Sequence, residues 1–274
     1  MCEIAFARVE VVDSLCAFLD ILGFRQITSA ANTNMQANDL LERLTRALEE
    51  STAAILETQM EGTEWRHKFF TDNLVLGFPC PLDGSTASDI GLAEFINVAG
   101  TYQLAMSLNG FAVRGGLTGG PLYMSDDVVF GASLLRAYDI ESNEAEFPRI
   151  KLDETLVDQV SLNIDFRDSV LRDTDGVLFV NYLAWTNFLD DYPVALGRNV
   201  LERHRDFITQ KLTEFPDGSI HEKYRWIAGY HNYFCLNTDD SLETGNLSQG
   251  NLLLIPNIET RAIEFAQDEF NRPL

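Results

Sequence analysis

Residues 65–78 carry the pattern that constrains this chain most. Two apolar runs, His67-Lys-Phe-Phe70 and Leu74-Val-Leu-Gly-Phe78, flank Thr71-Asp72-Asn73, and Asx residues tolerate the conformations of a tight turn. An antiparallel hairpin is therefore predicted there. Residues 4–24 alternate and then run apolar to Gly23, which predicts one or two strands. After a polar stretch from Thr28 to Asn38, Asp39 opens a helical spacing of Leu40, Leu41, Leu44, Leu48 and Ile55. A second helix is predicted over 85–109, stopped by Gly110, then a strand pair, 111–116 and 121–124, around Gly119-Gly120. A short helix over 132–144 leads to a strand at 149–152. This order of elements predicts an α+β fold, an antiparallel-rich sheet with helices on one face. Beyond it the pattern predicts a helix, a strand at 177–180, helices around 200–213 and 220–235, and an irregular tail.

The chain has 20 Lys and Arg against 42 Asp and Glu, a formal charge of −22, which argues against binding a nucleic-acid backbone. With 46% hydrophobic residues it can bury a sizeable core, which excludes disorder as the main state. Cys2, Cys16, Cys80 and Cys235 form no C-x-x-C pair, and His67, His204, His221 and His231 form no H-E-x-x-H. These spacings argue against a structural zinc or a disulfide framework. The start lacks a basic segment followed by an apolar one, and the longest uncharged stretch, 95–113, is interrupted by Asn97, Thr101, Gln103 and Asn109. The expectation is a cytoplasmic protein with no nucleic-acid or membrane partner.

Asp20 sits inside Ala17-Phe-Leu-Asp-Ile-Leu-Gly-Phe24, where a carboxylate is costly to bury unless a cation or donors compensate it. It is either a metal ligand or a cap on the amides near Gly23. Asp72, at the hairpin tip, is by itself an ordinary turn residue. Together they offer carboxylates at two apolar strand ends, beside a Leu22-Gly23 loop able to present N–H groups to an anion. Converging carboxylates suit Mg²⁺, which completes its shell with water and substrate phosphates, and hence a nucleoside triphosphate. Period-two alternation puts Lys68, Phe70 and Asp72 on one face if the strand is regular to its tip. Lys68 is then a base contact or a snorkelling surface residue, and Phe70 a base contact or ordinary core.

Phe18-Leu-Asp-Ile-Leu-Gly-Phe24 resembles the F-x-D-I-x-G-F motif of class III nucleotide cyclases. Lys68-Phe-Phe-Thr-Asp72 is similar to their metal hairpin, and Val113-Arg-Gly-Gly-Leu-Thr-Gly-Gly120 to their R-x-G-I-x-x-G strand. Three further stretches resemble the pyrimidine (cytidylate or uridylate) cyclases of the Pycsar bacterial anti-phage system: Arg114-Gly-Gly, Phe130-Gly-Ala-Ser-Leu-Leu-Arg-Ala-Tyr-Asp-Ile-Glu-Ser-Asn-Glu-Ala-Glu-Phe-Pro-Arg-Ile150, and Lys223-Tyr-Arg-Trp-Ile-Ala-Gly-Tyr-His-Asn232. The likeness spans residues 16–232.

The resemblance implies a catalytic domain over 1–190 with a ferredoxin-like core, a helical extension over 191–237, and a tail over 238–274. It implies that Asp20 and Asp72, with the Ile21 carbonyl, hold two divalent cations, Mg²⁺ or Mn²⁺, and that Leu22, Gly23 and Phe24 receive the triphosphate. It further implies a homodimer with sites at the interface. Purine cyclases carry an asparagine and an arginine where Leu135 and Asp139 stand here. Arg114 and Arg136 are then the remaining cations able to stabilise transition-state charge, their ordinary alternatives being ion pairs. Adenylate or guanylate cyclase activity, or a silent nucleotide-binding domain, are the alternatives. Tyr138, Phe147, Tyr224, Trp226, Tyr230 and Tyr233 are read as core or dimer contacts. Glu141, Glu144 and Glu146 are read as a solvated face.

Overall fold

A computed structural model describes residues 10–58, 65–163, 166–186, 195–237 and 253–266. The first strand, β1 (Val12–Ile21), sends Leu15, Ala17, Leu19 and Ile21 into the main core, while Cys16, Phe18 and Asp20 alternate onto the other face. Gly23, left-handed at φ 72°, turns the chain into α1 (Phe24–Ala30), which is followed by α2 (Asn34–Thr58). The polar stretch at 28–38 is thus largely helical rather than open. The N-terminus of α2 is set by a capping box: Thr33 N–H donates to Gln36 Oε1 at 3.2 Å and Gln36 N–H to Thr33 Oγ1 at 3.3 Å.

The hairpin forms as expected from β2 (Arg66–Phe70) and β3 (Asn73–Pro79), and α3 (Thr86–Leu108) starts at an N-cap Ser85 that accepts from Ser88 N–H. Next comes β4 (Val113–Met124), one continuous strand where a strand pair was predicted. Its glycines serve close packing: a Cβ on Gly119 would meet Leu82 at 3.0 Å, and one on Gly116 would meet Ile140 Cβ at 2.5 Å. β5 (Val129–Phe130) folds back on β4, and α4 (Ala132–Asp139) continues into a π turn, Ile140–Glu144. After β6 (Ile150–Leu152) and α5 (Glu154–Leu162) come β7 (Val170–Arg172), β8 (Leu178–Val180) and a 3-10 turn, Tyr182–Thr186. Then follow α6 (Ala195–Glu214), α7 (Gly218–Asn237) and β9 (Glu264–Phe265).

The strands are ordered β2-β3-β1-β4-β6-β8-β7-β9, with β5 on β4, and among the described residues only the β4–β6 pair is parallel. This is the expected α+β class. The helices, however, occupy both faces. α2 and α3 pack Leu44, Ala47, Phe95 and Ile96 on the side of Leu15 and Leu19. On the other side α4 covers β1 and β4, and Phe179, strand neighbour of Lys151, meets Trp226 and Tyr230 of α7 edge-on at 5.4 and 5.6 Å. Leu253, Ile255, Ile263 and Ala266 from the tail are buried in the main core. Cys16, Cys80 and Cys235 are free thiols, and no helix among the described residues is long and apolar enough to cross a membrane.

Candidate active site

At the end of β1, Asp20 lies in register between Asn73 of β3 and Arg114 of β4. The next residue, Ile21, donates its N–H to the Asp72 carbonyl at 3.2 Å, which draws the hairpin tip alongside. Thr71 occupies the left-handed region at φ 52°, a strain of about 1–3 kcal/mol for a β-branched residue. Its hydroxyl donates to Asp72 Oδ1 at 2.6 Å and Asn73 Nδ2 donates to the same oxygen at 3.2 Å. Asp72 Oδ2 has no partner among the described residues.

Asp20 is half-buried and its closest cation is Arg114 Nη2, 3.9 Å away. Burial pushes its carboxyl up to about 7, helped by the negative charges of Glu141 and Asp72, and Arg114 and Lys223 offset this only in part. Arg114 therefore compensates this carboxylate only in part. Both aspartates offer hard oxygen ligands, the chemistry preferred by Mg²⁺ and Mn²⁺. Among the described residues no group of three or more His, Cys, Asp or Glu side chains gathers as a metal site.

Arg114 reaches Glu141 at 2.5 Å through Nη2 and the Ala145 carbonyl at 3.4 Å through Nη1, and its Nε is buried without an acceptor. Glu141 is only 4% exposed, contrary to the expected solvated face. The backbone explains this: Gly116 lets the π turn lie directly on the sheet, since a Cβ there would also meet the Ala137 carbonyl at 2.6 Å. The turn therefore inserts Glu141 between helix and strand. Glu144 is not free either, because it pairs with Lys151 at 2.5 Å and with Arg136. Glu146 is exposed, as expected.

Arg136 is committed elsewhere. Its guanidinium donates to Asp153 Oδ1 at 2.7 and 3.1 Å and pairs with Glu144, and Thr118 donates to Asp153 Oδ2 at 2.5 Å. These bonds hold its proton more firmly than usual and tie α4 to the start of α5.

Lys68 and Phe70 share the sheet face of Asp20, because Phe70 pairs with Asn73, the neighbour of Asp20. Lys68 Nζ donates to the Asp126 carbonyl at 2.6 Å and sits 5.7 Å from the Phe70 ring centre. Phe70 is 48% exposed, too open to be ordinary core. In the loop, Leu22 spends its N–H on the Ala112 carbonyl at 2.8 Å, Gly23 makes the left-handed turn and Phe24 opens α1.

One residue not singled out in the sequence also belongs here. Lys223, on α7, is half-buried; desolvation lowers its ammonium, followed by repulsion from Arg114, while Glu146, Asp20 and Glu141 pull it back up. Only the packing of α7 on the site face brings it there, so no local pattern announces it.

No family model matches the chain, and no curated protein matches it. Among solved structures it is similar to the guanylyl cyclase Cya2, at 16% identity and a TM-score of 0.44 over 62% of this chain and 91% of that one. A bacterial light-regulated adenylyl cyclase is similar at 15% identity and a TM-score of 0.40, over 63% and 92%. A class III adenylyl cyclase-like ATP-binding protein from Pseudomonas aeruginosa is similar at 14% and 0.42, over 65% and 40%.

Proposed function

We propose that this protein is a nucleotide cyclase that converts a pyrimidine nucleoside triphosphate, UTP or CTP, to its 3′,5′-cyclic monophosphate and pyrophosphate. The observation that carries the reading is the closeness of Asp20, at the end of β1 and only partly compensated by Arg114 at 3.9 Å, to Asp72 in the hairpin turn that the Ile21 N–H draws alongside. In the reaction the ribose 3′-oxygen bonds to the α-phosphorus, the bond to the pyrophosphate oxygen breaks, and the hydroxyl proton leaves to solvent. Two divalent ions, Mg²⁺ or Mn²⁺, supply acidification of the hydroxyl and neutralisation of the phosphates when bound. Asp20, Asp72 and the Ile21 carbonyl are the groups that would hold them.

Arg114 places a permanent positive charge where the phosphates gain negative charge. With Leu22 N–H engaged, the Gly23 turn and the start of α1 at Phe24 are the part of the loop left to meet the triphosphate. Lys68 and Phe70 line the base side: the lysine supplies a donor to a base edge and the ring narrows the space to one pyrimidine. Arg136 contributes by fixing α4 through Asp153. A homodimer is part of this reading, because Phe70, Val128, Phe130, Leu135 and Tyr138 are all about half exposed or more around the site. An apolar rim of that kind on a partly covered face suits a second copy. The quoted motifs support the wider role, a cytoplasmic second-messenger synthase in anti-phage defence whose product acts on a separate effector.

Incubation of the purified protein with each of the four nucleoside triphosphates and Mn²⁺, with products identified by mass spectrometry, tests the reading. Cyclic UMP or cyclic CMP is expected. Cyclic purine products would replace it with adenylate or guanylate cyclase activity, and nucleotide binding without any product would make the chain a silent nucleotide-binding domain.

A further inference from the structure

The Arg114–Glu141 pair is unusual for a surface so rich in acid. Glu141 has been taken almost wholly out of water, at a desolvation cost that one contact with a partly exposed arginine offsets only in part. The contact is also close without being well directed: Glu141 Oε1, 2.5 Å from Arg114 Nη2, makes no aligned hydrogen bond. Its second oxygen accepts from Ser142 at 2.9 Å. The element that carries it is a π turn, a rare geometry often found at functional sites, and it fits only because residue 116 is glycine. The pair sets the guanidinium 3.9 Å from Asp20.

We infer that Glu141 is a positioning residue that acts through Arg114: its buried carboxylate fixes the guanidinium beside Asp20, so that the charge is aimed at the substrate phosphates before they arrive. This rests on the cyclase reading and adds to it the residue that orients its arginine. A fixed charge stabilises a transition state without reorganising, and a misplacement of about 1 Å can cost roughly 10²-fold in rate.

A double-mutant cycle tests it, with wild type, Glu141→Gln, Arg114→Ala and the double variant compared in kcat, KM and the Kd of the Mn²⁺-nucleotide complex measured by calorimetry. Expected is a loss in kcat of about 10²-fold for Glu141→Gln, with a smaller weakening of nucleotide binding, and a double variant no worse than Arg114→Ala alone in either. Losses that multiply, or a Glu141→Gln enzyme equal to wild type, overturn the inference and leave the cyclase reading standing. A wild type that binds nucleotide but makes no cyclic product removes the cyclase reading instead. The cycle is then read in Kd, where the same non-additivity is expected and additive effects overturn the inference. Should Glu141→Gln not fold, Glu141→Asp takes its place, with a smaller loss that again vanishes in the Arg114→Ala background.

Discussion

At the far end of the sheet Arg149 is 1% exposed and held through both terminal nitrogens: it pairs with Asp173 at 2.6 Å and with Asp175, and its guanidinium lies over the Phe147 and Trp226 rings, with Nε alone left without an acceptor. Asp173 also accepts from Arg261 at 2.6 Å and from Trp226 Nε1 at 2.7 Å. Nearby, Tyr182 donates to His204 Nε2 at 2.9 Å, His204 Nδ1 donates to His231 Nδ1 at 3.0 Å, and His231 Nε2 donates to the Leu253 carbonyl at 3.0 Å. The carbonyl can only accept, so His231 Nε2 carries a proton, and burial keeps both rings neutral, which sets the remaining directions. At the near end the same chain leaves Asp20 and Asp72 without a matched cation. One region spends its buried polar groups on holding the fold, and the other keeps charge uncompensated, as a site that awaits charged ligands must.

The largest effect expected from breaking this contrast is on turnover. Asp72→Ala should cut cyclisation by at least about 10³-fold while leaving the melting temperature within a few degrees of wild type, measured by product formation and thermal unfolding. At the far end the outcome reverses. Asp173→Ala leaves the buried Arg149 only the partly exposed Asp175, deprives Arg261 and Trp226 of their acceptor, and should cost about 3–5 kcal/mol in urea unfolding.

The two ends should also answer pH with opposite sign. In chelator, the Asp20 carboxyl, raised to about 7, keeps a proton that the unfolded chain releases near pH 4. Its contribution to stability therefore falls as pH rises between about 4 and 7, on the order of 2 kcal/mol. Asp20→Asn should remove that fall and make the protein more stable at pH 8. Burial lowers His231 to about 4, so its contribution is intact above about pH 6.5 and is lost as pH falls towards 4. Unfolding free energies from pH 4 to 8 for wild type, Asp20→Asn and His231→Gln should separate the two slopes. The smallest effect is steric: Gly116→Ala should cost about 1–3 kcal/mol by lifting the π turn from β4.

What could be read from the sequence was local. The hairpin, α3 and the sharing of one strand face by Lys68 and Phe70 follow from alternation and turn chemistry within a few residues, whereas Asp20 joins that face only through the pairing of β1 with β3. The first turn of α2 reads as loop, with the helix opening only at Asp39, because its exposed face lacks apolar spacing; its capping residues, Thr33 and Gln36, are evident from the structure. Gly119-Gly120 reads as a turn because glycine serves both turning and close approach, and only the neighbours at Leu82 decide between them. Glu141 and Lys223 were not legible as site residues. An acidic residue among acidic residues reads as surface, and a lysine on a distant helix reaches the site only through the packing of α7.

Asp20 and Asp72 are left short of positive charge because cations bind there. That binding is tested most directly by the melting temperature of the nucleotide-free protein against Mn²⁺ concentration at pH 8, for wild type, Asp20→Asn and Asp72→Asn. The account predicts a rise with Mn²⁺ in wild type, following the stabilisation RT ln(1 + [L]/Kd), and its loss in both variants. An equal rise in all three would contradict it, since the ion would then bind elsewhere.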